Sequence, residues 1–179
     1  VNTAFTGSKV ASNGCPASLI RVHPVGLIPA DYASVNRERI THRSILTVGR
    51  LVEKKGHEFL LRSMPAILKR FPDAVWHIAG DGHLRENLEL LARELGVSGS
   101  VRFEGLCDAE RVRELYGLAA VFVLPSVTAS DGDMEGQGLV LQEAQYCGIP
   151  VVSTLHNGIP DGVRDGITGF LVPEKNPEL

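Results

Sequence analysis

The sequence predicts an α/β fold: one Rossmann-like domain on a doubly wound parallel sheet. Three observations carry that prediction. From Ser44 onward, short apolar runs alternate with longer amphipathic runs, the pattern of β-α units feeding a parallel sheet. The short runs are continuous in Val, Ile and Leu, as expected of strands covered on both faces and joined by right-handed crossovers. The chain has 179 residues, 44% hydrophobic and 22% charged, which suits a single well-buried domain.

The elements follow in order. "SILTVG" (Ser44 to Gly49) is the first buried strand. Leu60, Met64, Ile67, Leu68 and Phe71 then fall at helical spacing, with a kink expected at Pro65 and a stop at Pro72. "AVWHIAG" (Ala74 to Gly80) is the second strand, and Leu84, Leu88, Leu91 and Leu95 line one face of a helix that Gly96 ends. "VRFEG" is the third strand, Asp108 the N-cap of the next helix, and Val112, Leu115, Tyr116 and Ala119 its apolar stripe. "AAVFVLPS" is the fourth strand, and "MEGQGLVLQEA" opens the helix behind it. "GIPVVST" and "GFLVP" are the fifth and sixth strands. Before Ser44 the pattern weakens. Leu19 to Gly26 is expected to add a strand to the same sheet, Asn36 to Arg43 is a polar connector, and residues 1–18 read as a separate N-terminal segment. The chain has no initiator Met and stops where another helix is expected, so it reads as cut at both ends.

Charge and cysteine usage exclude several classes. Eighteen basic against 21 acidic residues give a net charge of -3, so there is no field to attract nucleic acid or anionic lipid. Cys15, Cys107 and Cys147 are scattered, with no C-x-x-C pair, and read as three buried thiols of a reducing compartment. No stretch approaches the ~18 apolar residues of a membrane span, and the start has no signal-peptide pattern.

In an open α/β sheet ligands bind beyond the carboxyl ends of the strands, so the strand-end loops hold the chemistry. After the first strand Arg50 and Lys55, framed by Gly49 and Gly56, make a cationic clamp for a di-anion, whereas Lys54 is read as facing water. In "MEGQG", Gly136 and Gly138 let backbone approach a ligand, and the free N–H groups of a starting helix favour phosphate. Glu135 and Glu143 would repel phosphate, so they are read as acceptors for sugar hydroxyls on either side of it. Competing readings are weaker. "GDG" at Gly80 to Gly82 lacks the third glycine of a dinucleotide fingerprint, no P-loop is present, and Asp131 and Asp133 attract no further metal ligand in sequence. His77 reads as a satisfied core residue, His156 as a structural loop residue, and His23 and His57 carry no signal.

With these loops assembled, the chain resembles the C-terminal, nucleotide-sugar-binding half of a GT-B glycosyltransferase of the family-4 retaining type. The resemblance runs from about Leu19 to Val172 and rests on "VGRLVEKKG", "IAGDGHLRENLELLARELGV", "VRFEG", "VFVLPS", "EGQGLVLQEA", "CGIPVVST" and "DGITGFLV", in that order. It implies that residues 19–179 form the donor domain and that Arg50 and Lys55 hold the diphosphate of a UDP- or GDP-sugar. It also implies that Glu135 binds hydroxyls of the donor sugar and that amides of Gly136, Gln137, Gly138 and Leu139 hold the distal phosphate. Glu143 then takes the ribose, the base lies near Leu106 and Cys107, and Gly49 is a further donor-binding residue. No metal or other cofactor is implied. The acceptor, a glycan or lipid-linked glycan of bacterial polysaccharide or lipopolysaccharide synthesis, is implied to bind a separate N-terminal domain. The full-length protein is expected in the cytoplasm, with peripheral association at the inner face of the membrane, and the fragment alone is expected to be inactive. Gly26-Leu27-Ile28 and Pro160-Asp161 depart from Gly-Val-Asp and Pro-Glu of the family. A non-catalytic nucleotide-sugar-binding module is the alternative, and an epimerase of the same architecture a more distant one.

Overall fold

The computed structural model describes residues 1–178. An N-terminal helix, α1 (Ala4–Ser12), and three short 3-10 turns precede the sheet. The sheet and its helices then follow as β1 (Ser44–Val48), α2 (His57–Arg70), β2 (Val75–Ala79), α3 (Arg85–Glu94), β3 (Val101–Gly105), α4 (Ala109–Leu118), β4 (Val121–Leu124), α5 (Leu139–Tyr146), β5 (Val151–Thr154) and β6 (Gly169–Val172). All six strands pair in parallel in the order β3-β2-β1-β4-β5-β6, the order of Rossmann-type sheets.

Burial explains the continuous apolar runs. Ile45 points to one core with Trp76, Ile78, Leu60, Leu61, Met64 and Leu88 from α2, α3 and β2. Its neighbour Leu46 points to the other, with Leu115 and Tyr116 of α4, Phe122, Leu141 and Ile149. A strand whose successive side chains feed two cores has no polar face to display. Asp108 caps α4 as expected, its side chain accepting from the Arg111 amide.

Several expectations are corrected. Leu19 to Gly26 forms no strand: Leu19, Val22 and Val25 are half or more exposed, and the segment lies against the N-terminus and Gln137, with the Val1 ammonium donating to Arg21 O, His23 N–H to Val1 O and Val25 N–H to Gln137 Oε1. α2 spans Pro65 from His57 to Arg70, with Leu60, Leu61 and Met64 buried. The double covering is incomplete. α2 and α3 cover β1 to β3, but on that side Val121, Val123 and Val152 line an open groove of about 540 Å³, because among the described residues no helix follows β6. Of the three thiols only Cys147 is buried.

Candidate functional site

The strand order reverses between β1 and β4, so the loops leaving these two strands diverge around a crevice. They also interlock. The Val127 amide donates to Lys54 O at 2.9 Å. Gly56, with φ 67°, ends the 3-10 turn Glu53–Lys55, and a Cβ there would stand 1.8 Å from Pro125 O. Only glycine meets both conditions. The glycines of "GDG" have a similar structural purpose: Cβ atoms on Gly80 and Gly82 would meet the carbonyls of Gly49 and Leu51 at 2.0 and 2.4 Å.

Above this contact three consecutive side chains hold the loop after β4. Glu53 accepts from Ser130 N at 2.9 Å and from Ser130 Oγ at 2.6 Å. Lys54 Nζ lies 3.0 Å from Asp133, and Lys55 Nζ lies 2.5 Å from Glu135 Oε2. Lys54 therefore does not face water; its side chain is 16% exposed because Asp133 reaches over it. The hydrogen bond from Lys54 is the main cause that holds the Asp133 carboxyl below its ordinary range, and the nearby Arg50 charge adds to it. Lys55 and Glu135 are more covered still, at 13% and 14%.

Glu135 does not lie on the helix that the sequence predicts. Met134 to Gly138 is irregular and α5 begins at Leu139, since Gly138 takes a left-handed conformation (φ 66°) and caps the helix without a side chain. The expected row of amides is shifted by one residue: Gly136 N–H donates to Glu135 Oε1 at 3.3 Å, whereas the amides of Gln137, Gly138, Leu139 and Val140 have no protein acceptor among the described residues. Such a row of free donors at a helix start is suited to an anion. A cavity of about 190 Å³ opens here, lined by Glu135, Gly136, Gln137, Gly138 and Leu139, with Asn2 and Val25 opposite. The Gln137 side chain is otherwise engaged: it donates to Val25 O and accepts from Val25 N, at 2.7 and 2.9 Å. Only its backbone is left for a ligand.

One turn into α5, Glu143 Oε2 accepts from Tyr116 Oη at 2.8 Å. Burial first, and then the Glu143 carboxylate, push the Tyr116 phenol up, and the same two causes raise Tyr32 to about 12. Tyr32 packs edge-on against both Tyr116 and Tyr146. This aromatic wall, which lets Glu143 stand between Leu141 and Ala144, was not legible as such. Tyr116 reads in sequence as one more stripe residue; a hydroxyl on an otherwise apolar face is the signal. Beyond β3, Leu106 is 86% exposed and Cys107 packs against the core that contains Tyr116.

The structure thus brings together Gly49, Lys55, Glu135 and the glycine loop; a Cβ on Gly49 would touch Lys55 Cε at 3.4 Å. Arg50 stands at the rim, exposed. Asp131 Oδ1 accepts from the Asp133 amide, and among the described residues no group of three or more His, Cys, Asp or Glu could hold a metal ion. His77 is satisfied by Glu104 at 2.7 Å but is only partly buried, since β2 is next to the edge. His156 is fully buried and accepts from the Glu135 amide, a link that nothing in the local sequence announces. No helix among the described residues is long and apolar enough to cross a membrane.

Comparison with known proteins bears on the family and the fold. The family model "Glycosyl transferases group 1" matches residues 32–179. The chain is 34% identical over 179 residues to the putative colanic acid biosynthesis glycosyltransferase WcaL of Salmonella typhimurium, covering 95% of this chain and 42% of that protein. Among solved structures, Anabaena Alr3699/HepE in complex with UDP and glucose superimposes with a TM-score of 0.84 at 21% identity, over 99% of this chain and 50% of that one. The C-terminal domain of a glycosyl transferase group 1 family protein (LpcC) from Francisella tularensis superimposes with a TM-score of 0.71 at 20% identity, covering 86% of this chain and 83% of that one. At these identities the structural likeness speaks for the fold alone. The chain spans about half the length, or less, of the relatives it matches at full length.

Proposed function

Because the chain belongs to the glycosyl transferases group 1 family, we propose that it is the C-terminal, donor-binding half of a retaining GT-B glycosyltransferase of the family-4 type. The whole enzyme moves a sugar from a UDP- or GDP-sugar to an acceptor hydroxyl, keeping the anomeric configuration, in bacterial polysaccharide or lipopolysaccharide synthesis. The observation that carries this reading is the row of four unpartnered amides, residues 137–140, that follows Glu135, whose carboxylate lines the cavity beside them and holds Lys55 from the loop after β1.

Each part has a task. The amides of residues 137–140 hold the distal phosphate at the start of α5. Lys55, with Arg50 closing from the rim, neutralises the charge that grows on the diphosphate as the glycosidic bond breaks, which is electrostatic leaving-group stabilisation. The donor displaces the Lys55–Glu135 pair: Lys55 takes phosphate oxygens, and the released Glu135 carboxylate accepts from sugar hydroxyls. Glu143, oriented by Tyr116, accepts from the ribose hydroxyls, and Leu106 and Cys107 flank the base. No step calls for a metal. The acceptor binds an N-terminal domain that closes on this one, and closure aligns the reactants and excludes water. HepE is described with UDP and glucose and WcaL by colanic acid biosynthesis, which supports a nucleotide-sugar donor and a polysaccharide product.

Calorimetry with UDP, GDP and ADP tests the reading. One nucleotide binds, chelator leaves its binding intact, and Glu143→Ala weakens it by roughly 1–3 kcal/mol, the cost of a lost charged hydrogen bond. Unchanged affinity in that variant would remove Glu143 from the site, and strict metal dependence would bring Asp131 and Asp133 back into it.

A further inference from the structure

We infer that His156 is a positioning residue for the donor sugar: with Glu174 it fixes the backbone of Glu135, so that the Glu135 side chain is free to exchange Lys55 for a ligand hydroxyl. The inference rests on the reading of Glu135 given above.

The geometry assigns the hydrogen atoms. His156 Nε2 lies 3.1 Å from the Glu135 amide nitrogen and 2.7 Å from Asn157 Nδ2. Both neighbours are donors, so Nε2 carries the lone pair and the ring hydrogen is on Nδ1. Nδ1 faces Glu174 Oε1 at 2.5 Å, and a carboxylate on one ring nitrogen fixes the tautomer and leaves the other as an acceptor. The imidazole is fully buried, so no water substitutes for either partner. Asn157, held left-handed at φ 46°, also points Nδ2 at Glu135 O, at 3.4 Å. Both backbone polar groups of Glu135 are thus gripped from the loop after β5.

Glu174 makes the arrangement more than a local contact. Its second oxygen accepts from the Thr128 amide at 2.9 Å, near the start of the loop that ends at Glu135. Burial raises this carboxyl, but hydrogen bonds from His156 and Thr128 outweigh it and hold Glu174 below its ordinary range. The Glu174–His156 pair therefore bridges Thr128 and Glu135, closing the loop between them. A loop closed in this way does not have to reorder when the Glu135 carboxylate swings from Lys55 to a sugar, which is the pre-organisation a transferase needs.

The test measures the affinity ratio of UDP-glucose to UDP, and of GDP-mannose to GDP, by calorimetry on the chain. In His156→Leu the sugar-dependent ratio falls roughly tenfold while affinity for the bare nucleoside diphosphate holds within about twofold. His156→Asn keeps a donor for Glu174 but cannot reach Glu135; it loses the ratio as well, and it serves if the leucine variant does not fold. His156→Gln puts an acceptor back near the place of Nε2 and restores most of the ratio. A folded leucine or asparagine variant that keeps the ratio overturns the inference, as does an equal loss of affinity for nucleotide and nucleotide sugar. Glu135→Gln separates the two levels: if it loses the ratio and the His156 variants do not, only the role of His156 fails. If it keeps the ratio, the assignment of Glu135 fails first and this inference with it.

Discussion

Removing the charge of Glu135 should make the site bind a bare nucleoside diphosphate more tightly. In the ligand-free protein Lys55 is already neutralised, with Glu135 Oε2 2.5 Å away and both side chains 13–14% exposed. A diphosphate must take Lys55 from that partner and then tolerate an unpaired carboxylate nearby. An exposed pair contributes about 0.2–1 kcal/mol, and separating a covered one costs more because a charge is left without its partner, so for a pair covered to this degree roughly 1–2 kcal/mol is spent on the exchange. In Glu135→Gln that cost falls away, and UDP or GDP should bind about 5- to 30-fold tighter at ~1.4 kcal/mol per decade. The gain should shrink in high salt, which screens the carboxylate–phosphate repulsion. UDP-glucose or GDP-mannose should gain less than its parent nucleotide, because the sugar loses its carboxylate. Calorimetry at low and high ionic strength measures both effects. If Glu135→Gln binds the nucleotide equally or more weakly, Lys55 does not change partners and the exchange step is wrong.

Two further outcomes follow from the scaffold. Gly56→Ala places a Cβ 1.8 Å from Pro125 O at a left-handed φ; the backbone conformation alone costs about 1–2 kcal/mol and the clash adds to it, so thermal or urea unfolding should register a loss of more than ~3 kcal/mol. A loss below 1 kcal/mol would mean that the two loops are not locked. His57 is buried against Trp76 without a hydrogen-bond partner, and burial, helped by the Lys55 charge, lowers it to about 3. Its folded pKa lies below its unfolded value near 6.5, so the unfolded chain binds the extra proton and stability falls as pH drops below ~6.5. Between pH 7 and pH 5 this amounts to about 2 kcal/mol at ~1.4 kcal/mol per unit. His57→Leu should flatten the unfolding free energy over that window, and an unaltered pH slope would refute the assignment.

The central strand was legible because it shows no polar face to solvent: in β1, residues 44–47 are all buried, so the apolar run is unbroken and its bounds differ from the reading by a residue. Leu19 to Gly26 offered similar composition, but composition does not say whether an edge is available, and the segment lies along the N-terminus instead. At the site, Lys55, Glu135 and the glycines could be found from residue type and place in a strand-end loop. Their pairing could not, because Glu135 lies 80 positions from Lys55 and only the strand order joins them. The start of α5 was misplaced for a local reason: Gly136 and Gly138 suit a ligand-facing turn as well as a helix start, and the left-handed Gly138 decides for the turn. Glu174 gave no sign at all, since a carboxylate near a loop end is common and only its bonds to His156 and Thr128 distinguish it.

The run Glu53, Lys54, Lys55 meets Ser130, Asp133 and Glu135 one after another. It behaves as a ruler with one acidic mark followed by two basic ones. A one-codon insertion or deletion inside it would shift the register, so that at least one of Ser130, Asp133 and Glu135 loses its counterpart. Exchanging Lys54 for arginine changes only the shape of a mark. Length variation among kin of this protein is therefore expected at the exposed tip around Gly132, while the turn after the first strand keeps its count.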